Sequence, residues 1–341
     1  MNIKSLLIGS AAALAAVSGA QAADAIVAAE PEPMEYVRVC DAFGTGFFYI
    51  PGTETCLKFG GYIRFQTNVG RDASGTSDWD SFTRAQFEVD TRTDTELGAL
   101  RGFIGFRGNA DNGSAASSSV FVDQAFISLG GLTVGKVYSE WDNDLNGETD
   151  ILSSITLFNS VRYTYDAGSF AATLSVDELE NTFSTRDNNV GITGVLAAKF
   201  GAISATVVGS YDTDLEDGAI RGILFADVGP GTVGLSGVWA SGINAYYGVS
   251  EWAVAAEYAI KATDKLTITP AAEYLGNLAA PLNGSIINPN ADFSSNDAWT
   301  AGVTVDYKIT DGLATKITAN YIDEDGADDQ VTGFVRLQRS F

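Results

Sequence analysis

The chain has 341 residues, no histidine, two cysteines, 18% charged residues and a formal net charge of −23. The missing imidazole excludes serine–histidine and cysteine–histidine catalysis, and an acidic balance without a basic stripe speaks against a nucleic-acid partner. With 37 glycines and so few charges, the composition fits neither an ordinary soluble domain nor a helical membrane protein.

The first residues have the three parts of a secretory signal: Lys4, an apolar stretch from Leu6 to Val17, and small residues ending in Ala20-Gln21-Ala22. Residues 1–22 therefore read as a cleaved signal peptide, with the mature chain starting near Ala23. The apolar stretch is shorter than the roughly 20 residues a membrane-crossing helix needs, and no later one is longer. Residues 23–56 read as an N-terminal segment that holds Cys40 and Cys56. In the oxidising compartment that an export signal implies, this lone pair is most simply a disulfide, worth about 3 kcal/mol in the chain-entropy picture. A metal centre would need more ligands, and no cofactor is implied.

From residue 57 to 341 the chain repeats one unit: about ten residues of alternating character, then a turn or a polar loop, which is the pattern of transmembrane β-strands. Leu57, Phe59, Ile63, Phe65 and Val69 alternate with Lys58, Arg64, Gln66 and Asn68. Next, Ala85, Phe87 and Val89 alternate with Arg84, Gln86, Glu88, Asp90 and Arg92. Five successive polar residues on one face cannot enter a dry core, so that face meets water. Similar units recur at 161–166, 203–211 and 299–308. Tyr163, Tyr165, Tyr211, Tyr274, Trp299, Tyr307 and Tyr321 fall on the apolar face near strand ends, where rings sit at lipid headgroups. A soluble sandwich would hold more of them mid-strand.

Tight turns such as Thr93–Gly98, Gly130-Gly131, Gly201-Ala202 and Ile309–Gly312 alternate with long polar segments such as 109–119, 179–188, 212–218, 276–296 and 323–329. Short turns belong to the periplasmic rim and long loops to the outside. Sixteen strands would leave about 18 residues for each strand and its connection. A barrel of that size encloses an aqueous channel rather than a filled bore. The alternation slips in 120–137 and 219–241. The final amphipathic strand ends in Phe341, which resembles the signal read by the outer-membrane barrel-assembly machinery.

Glu35-Tyr36-Val37-Arg38-Val39-Cys40-Asp41 and Tyr49-Ile50-Pro51-Gly52-Thr53-Glu54-Thr55-Cys56-Leu57 resemble the start of the alphaproteobacterial general porin family. The resemblance continues at Gly60-Gly61-Tyr62-Ile63-Arg64, at Thr95-Glu96-Leu97-Gly98 and at Ala125-Phe126-Ile127 before Leu129-Gly130-Gly131, and thins after the first third. It implies an all-β fold, a transmembrane antiparallel barrel of sixteen strands, a homotrimer, and a third external loop folded into the lumen as a constriction, here between Tyr138 and Ser160.

Arg64, Arg84, Arg92, Arg101, Arg107 and Arg162 fall on the water-facing side, and Glu140, Asp142, Asp144, Glu148 and Asp150 fall on the inserted loop. Opposed charges across a narrow pore form a transverse field that favours polar solutes. The plainer alternative pairs the arginines with Glu88, Asp90 and Asp123 along the wall. Asp142-x-Asp144-x-Asn146-Gly147 also resembles the opening of an EF-hand loop, but Ser153 stands where the bidentate Glu belongs, so an acidic loop describes it better. The acidic runs 212–217 and 323–329 suit solvent, or divalent cations bridging to lipopolysaccharide phosphates, which with outer-membrane lipid are the expected surroundings. The expected function is a weakly cation-preferring diffusion channel. A solute-specific channel would show an aromatic track along the lumen, and a non-conducting anchoring barrel would have fewer strands or a filled bore.

Overall fold

The computed structural model describes residues 38–111, 119–180, 182, 187–282 and 287–341. The signal-peptide reading, the stretch Glu35–Val37 and parts of three long loops lie outside these residues. Val39–Phe341 is one compact unit; of the other, Met1–Arg38, only Arg38 is described.

The strands are β1 (Phe48–Tyr49), β2 (Cys56–Val69), β3 (Trp79–Thr93), β4 (Leu100–Asp111), β5 (Val120–Leu129), β6 (Leu132–Tyr138), β7 (Leu157–Asp166), β8 (Phe170–Glu178) and β9 (Val190–Phe200). The second half holds β10 (Ile203–Asp212), β11 (Asp217–Val228), β12 (Gly231–Ala240), β13 (Ser250–Thr263), β14 (Leu266–Leu278), β15 (Ala298–Thr310), β16 (Leu313–Glu324) and β17 (Gln330–Ser340). Each strand from β2 onward pairs antiparallel with the next, and β17 returns to β2 from Gly333↔Val69 to Ser340↔Tyr62. The ring of sixteen strands is thereby closed, which removes the sheet edges a bilayer would not tolerate. Phe341 completes the seam, exchanging backbone hydrogen bonds of 3.1 and 3.2 Å with Gly61.

Side-chain exposure follows the alternation read from the sequence. In β2, Phe59, Ile63, Phe65 and Val69 are exposed, whereas Gln66 is buried. All seven girdle aromatics, from Tyr163 to Tyr321, lie exposed on the outer face. One end of the barrel carries tight turns at 130–131, 201–202, 229–230, 264–265 and 311–312; the other carries the long connections. Gly130 adopts φ +57° in the first of these turns, a conformation that disfavours a Cβ.

The two segments where alternation slips are both strand pairs, for different reasons. Between β4 and β5 the register shifts: Gly105 pairs with Gln124 and Phe106 with Val122, so Asp123 is an extra, unpaired residue. That bulge turns Asp123 inward, where it is 1% exposed and binds Arg107 at 2.8 Å. In β11 and β12 apolar residues stand on both faces. Ile220, Leu224, Leu235 and Trp239 are exposed outside, while Ala219, Ile223, Val238 and Ala240 are buried inside. They join a core cluster inside the barrel with Trp141, Leu145, Leu152, Tyr246 and Tyr247.

Cys40 and Cys56 form the expected disulfide, with Cα atoms 6.0 Å apart. It ties β1 and the preceding turn to the start of β2, where Tyr49 pairs with Cys56. Phe47 is buried beside both sulfurs and lies under the Arg92 guanidinium, 5.0 Å from the ring centre. Thiol titration of the denatured, unreduced mature protein is expected to find no free thiol; two per chain would contradict the bridge.

Candidate functional site

The connection from β6 to β7 leaves the wall and crosses the barrel interior. Ser139 Oγ accepts from the Trp141 N–H at 3.3 Å, starting a short 3-10 turn over Glu140–Asp142. Trp141 has no exposed surface, and its indole N–H donates to Ser210 Oγ of β10 at 2.8 Å. From β11, Arg221 reaches into the turn with a side chain only 1% exposed. It donates to the carbonyl oxygens of Glu140 (2.8 Å), Trp141 (3.2 Å), Asn143 (2.8 Å) and Leu152 (3.1 Å), and to Asp144 Oδ1 (2.9 Å). One planar cation thus satisfies four backbone acceptors and a carboxylate.

Beyond this turn the loop meets the far wall. The Asn146 and Gly147 N–H groups donate to the Glu257 carboxylate of β13 at 2.8 and 2.7 Å. The Glu148 N–H donates to Thr304 Oγ1 of β15 at 3.0 Å, Thr149 Oγ1 to Asn320 of β16 at 2.9 Å, and the Ile151 N–H to Glu273 of β14 at 2.8 Å. A second connection, 241–249, folds in beneath it. The Ser154 and Ile155 N–H groups donate to the Tyr246 and Ala245 carbonyls at 2.9 and 3.2 Å. The Tyr246 hydroxyl donates to Asp177 Oδ2, a carboxylate with no exposed surface that also accepts from Ser160, Ser175 and Thr193 at 2.6–2.8 Å. A Cβ on Gly191 would collide with that tyrosine hydroxyl.

Charges are sorted by this arrangement. Glu148 projects toward β16 and β17, taking Lys316 Nζ at 2.8 Å and Arg336 Nη1 at 3.7 Å. Arg336 sits opposite Gln66, and one register pair away Arg64 lies between Gln338 and Arg84. Each of these guanidinium groups lies over a ring on the same wall: Arg64 over Tyr62 at 4.9 Å, Arg84 over Phe82 at 5.3 Å, Arg336 over Phe334 at 4.2 Å. Arg64 also feels the Glu148 charge, while Arg84 donates to the Asn109 side chain at 2.9 Å. Arg92 and Arg101 instead bind Asp90 at 2.9 and 3.0 Å, Arg107 binds Asp123, and Arg162 donates to the Tyr138 carbonyl at 3.0 Å. The plainer pairing thus holds at Asp90 and Asp123, while Glu88 accepts from Gln86 instead.

The loop acids separate in the same way. Asp142 is exposed, with one oxygen bound to Thr156, and Glu140 accepts from Asn143. Both border a cavity of about 450 Å³ between the loop, β10 and β11, lined also by Ser204, Thr206 and Phe225. Asp144 is tied to Arg221; burial nonetheless pushes its carboxyl up to about 6 against the pull of that cation. At Asp150, burial with the nearby Asp144 charge pushes the carboxyl up to about 7.

Arg336 and Lys316 are absent from the residues singled out in the sequence. The alternation Val335, Leu337, Arg339 in the last strand carried the signal, because it leaves Phe334, Arg336 and Gln338 on the water face. Arg221 stands in an apolar stretch where no period could assign its face. The inward aromatics Tyr62, Phe82 and Phe334 qualify the expectation that rings face outward.

A family model described as "Porin subfamily" matches residues 24–337. Outer membrane protein IIIA of Rhizobium leguminosarum bv. viciae is 48% identical over 98% of this chain and 93% of that protein. Porin Omp2b of Brucella neotomae is 35% identical over the full length of both. Among solved structures, in-vitro folded OmpT, an outer membrane protein of Vibrio cholerae in its trimer form, superposes with a TM-score of 0.63 at 15% identity, covering 85% of this chain and 100% of that one.

Proposed function

This chain belongs to the porin subfamily and forms an outer-membrane diffusion channel, and from that premise we propose that its lumen is a weakly cation-preferring passive filter narrowed by the loop between Ser139 and Thr156. The observation that carries this reading is the position of Glu148 against Lys316 and Arg336, with the Arg64 charge bearing on it and the carboxylates of Glu140 and Asp142 bordering a cavity on the same loop. Opposed charges orient water and polar solutes without any covalent step, so the protein acts by diffusion rather than catalysis. The long acidic loops concentrate cations at the mouth. A homotrimer, as named for the OmpT trimer form, covers part of the exposed apolar belt. Outer-membrane lipid and lipopolysaccharide meet the rest, and the barrel-assembly machinery reads the strand ending in Phe341.

The test is a reversal potential under a KCl gradient for the wild type and for Glu140→Gln with Asp142→Asn. Asp144 is left intact because its loss would strand Arg221. Wild type should show a modest cation preference that falls in the double variant and also shrinks as salt shortens the screening length below about 8 Å. Anion preference in the wild type would overturn the reading.

A further inference from the structure

The two ends of the barrel hold their inward carboxylates differently. At the end with tight turns, acids meet cations: Asp90 takes Arg92 and Arg101 at 2.9 and 3.0 Å, Asp306 takes Lys316 at 3.5 Å, and Asp311 in its turn takes Lys308 at 2.6 Å. At the end with long connections, acids meet neutral donors. Asp212 accepts from the N–H groups of Asp214, Leu215 and Ala245, Asp217 from the Ser241 hydroxyl, and Glu324 from the Leu282 N–H. Asp80 completes this set, opposite Asn68 and on the face of Gln66, to which Arg336 donates. Among the described residues none of these four carboxylates forms an ion pair. A cation cancels the field of its partner at a distance, whereas a neutral donor leaves the negative charge in place.

The turn end also holds lysines that face the lumen without an ion pair among the described residues. Lys199 is exposed and pairs with Ser204, which lines the cavity beside the loop. Lys261, also exposed, pairs with Thr267 and shares a face with Glu257, which holds the loop. Asp166 and Asp227 stand at the same end and accept only from the Gly168 N–H and the Thr232 hydroxyl. The turn mouth is therefore near charge balance, and the excess of negative charge lies at the loop mouth.

We propose that the cation preference belongs to the loop mouth alone, and that Lys199 and Lys261 cancel it at the turn mouth, so that the channel's selectivity depends on which mouth meets the dilute solution. This rests on the reading of the lumen as a charge filter. The screening length is about 10 Å at 0.1 M salt and about 3 Å at 1 M. Across such a gradient only the charges at the dilute mouth reach ions in mid-bore, and the reversal potential reports that mouth.

Single channels held between 0.1 M and 1 M KCl, with the gradient then reversed, give the test. Wild type should yield two different permeability ratios, the larger with dilute salt at the loop mouth. Lys199→Gln with Lys261→Gln should raise the smaller ratio about two- to fourfold, at about twofold for each charge, and leave the larger one in place. Asp80→Asn with Asp217→Asn should lower only the larger; the asparagine oxygen still accepts from Ser241. Because the variants identify the mouths, no channel orientation has to be known beforehand. Equal ratios for wild type in both directions overturn the proposal, as does a lysine variant that moves both ratios or neither once heat-modifiable gel migration has shown it folded. An equal cation preference in both directions leaves the filter reading standing, whereas anion preference in both directions overturns that reading as well.

Discussion

Arg221→Met is expected to raise single-channel conductance and its fluctuation more than any other single change in the loop's support. The guanidinium is 1% exposed and holds five acceptors, four of them backbone carbonyls of the loop, and it stacks over Trp141 at 5.0 Å. Removing the guanidinium leaves the four loop carbonyls without their shared donor, while the Asp144 carboxylate, 41% exposed, can turn to water. Methionine fills most of the space but donates nothing. The barrel is held by the inter-strand ladder, so the loss falls on the loop and not on closure. The variant should therefore migrate as a folded, heat-modifiable species while its pore carries more current. Arg221→Lys keeps the charge but offers a compact ammonium, which cannot reach acceptors from Glu140 to Leu152 at once, and should fall between the two. Wild-type conductance and noise in Arg221→Met would show that Trp141 and the apolar cluster suffice.

What the sequence could and could not disclose follows from the same contacts. Alternation is legible where one face meets lipid and the other meets water, as in β2 and β3, and there the two faces are read correctly. It is lost where the inner face is covered. Ile223 and Val238 are apolar on the inner face because they belong to the cluster that holds Trp141, a residue 82 and 97 positions earlier in the chain. The loop that narrows the lumen is recognisable from length and family resemblance. The buttress at 241–249 is not, since Asn244, Ala245, Tyr246 and Tyr247 are fully buried without any periodic signal. Among the arginines, composition and face could not separate Arg64, whose charge bears on Glu148, from Arg92, Arg101 and Arg107, which serve Asp90 and Asp123. That distinction rests on height along the barrel, which a period of two does not encode.

Replacing Arg64, Arg84 and Arg336 together with glutamine should strengthen cation preference several-fold. Arg64 and Arg84 are register partners on β2 and β3, and Arg336 of β17 pairs with Gln66, two residues along β2 from Arg64, and lies 3.7 Å from Glu148. At a distance of about 8 Å in water, one unit charge acts on a passing ion with about 0.5 kcal/mol, and screening at physiological salt reduces this to about 0.2. The sign is opposite for cation and anion, so each arginine shifts their ratio by about 0.4 kcal/mol and three by about 1.2, close to the 1.4 that corresponds to tenfold. Lys316 is kept because its ammonium holds Glu148 at 2.8 Å and so keeps the loop acid in place. Glutamine preserves much of the bulk over Tyr62, Phe82 and Phe334, which separates the loss of charge from a change in width. Reversal potentials at low and high salt give the check. The ratio should rise most at low salt and converge on wild type as the screening length falls toward about 3 Å at 1 M. An unchanged ratio at low salt would place the selectivity in the external loops rather than at this wall.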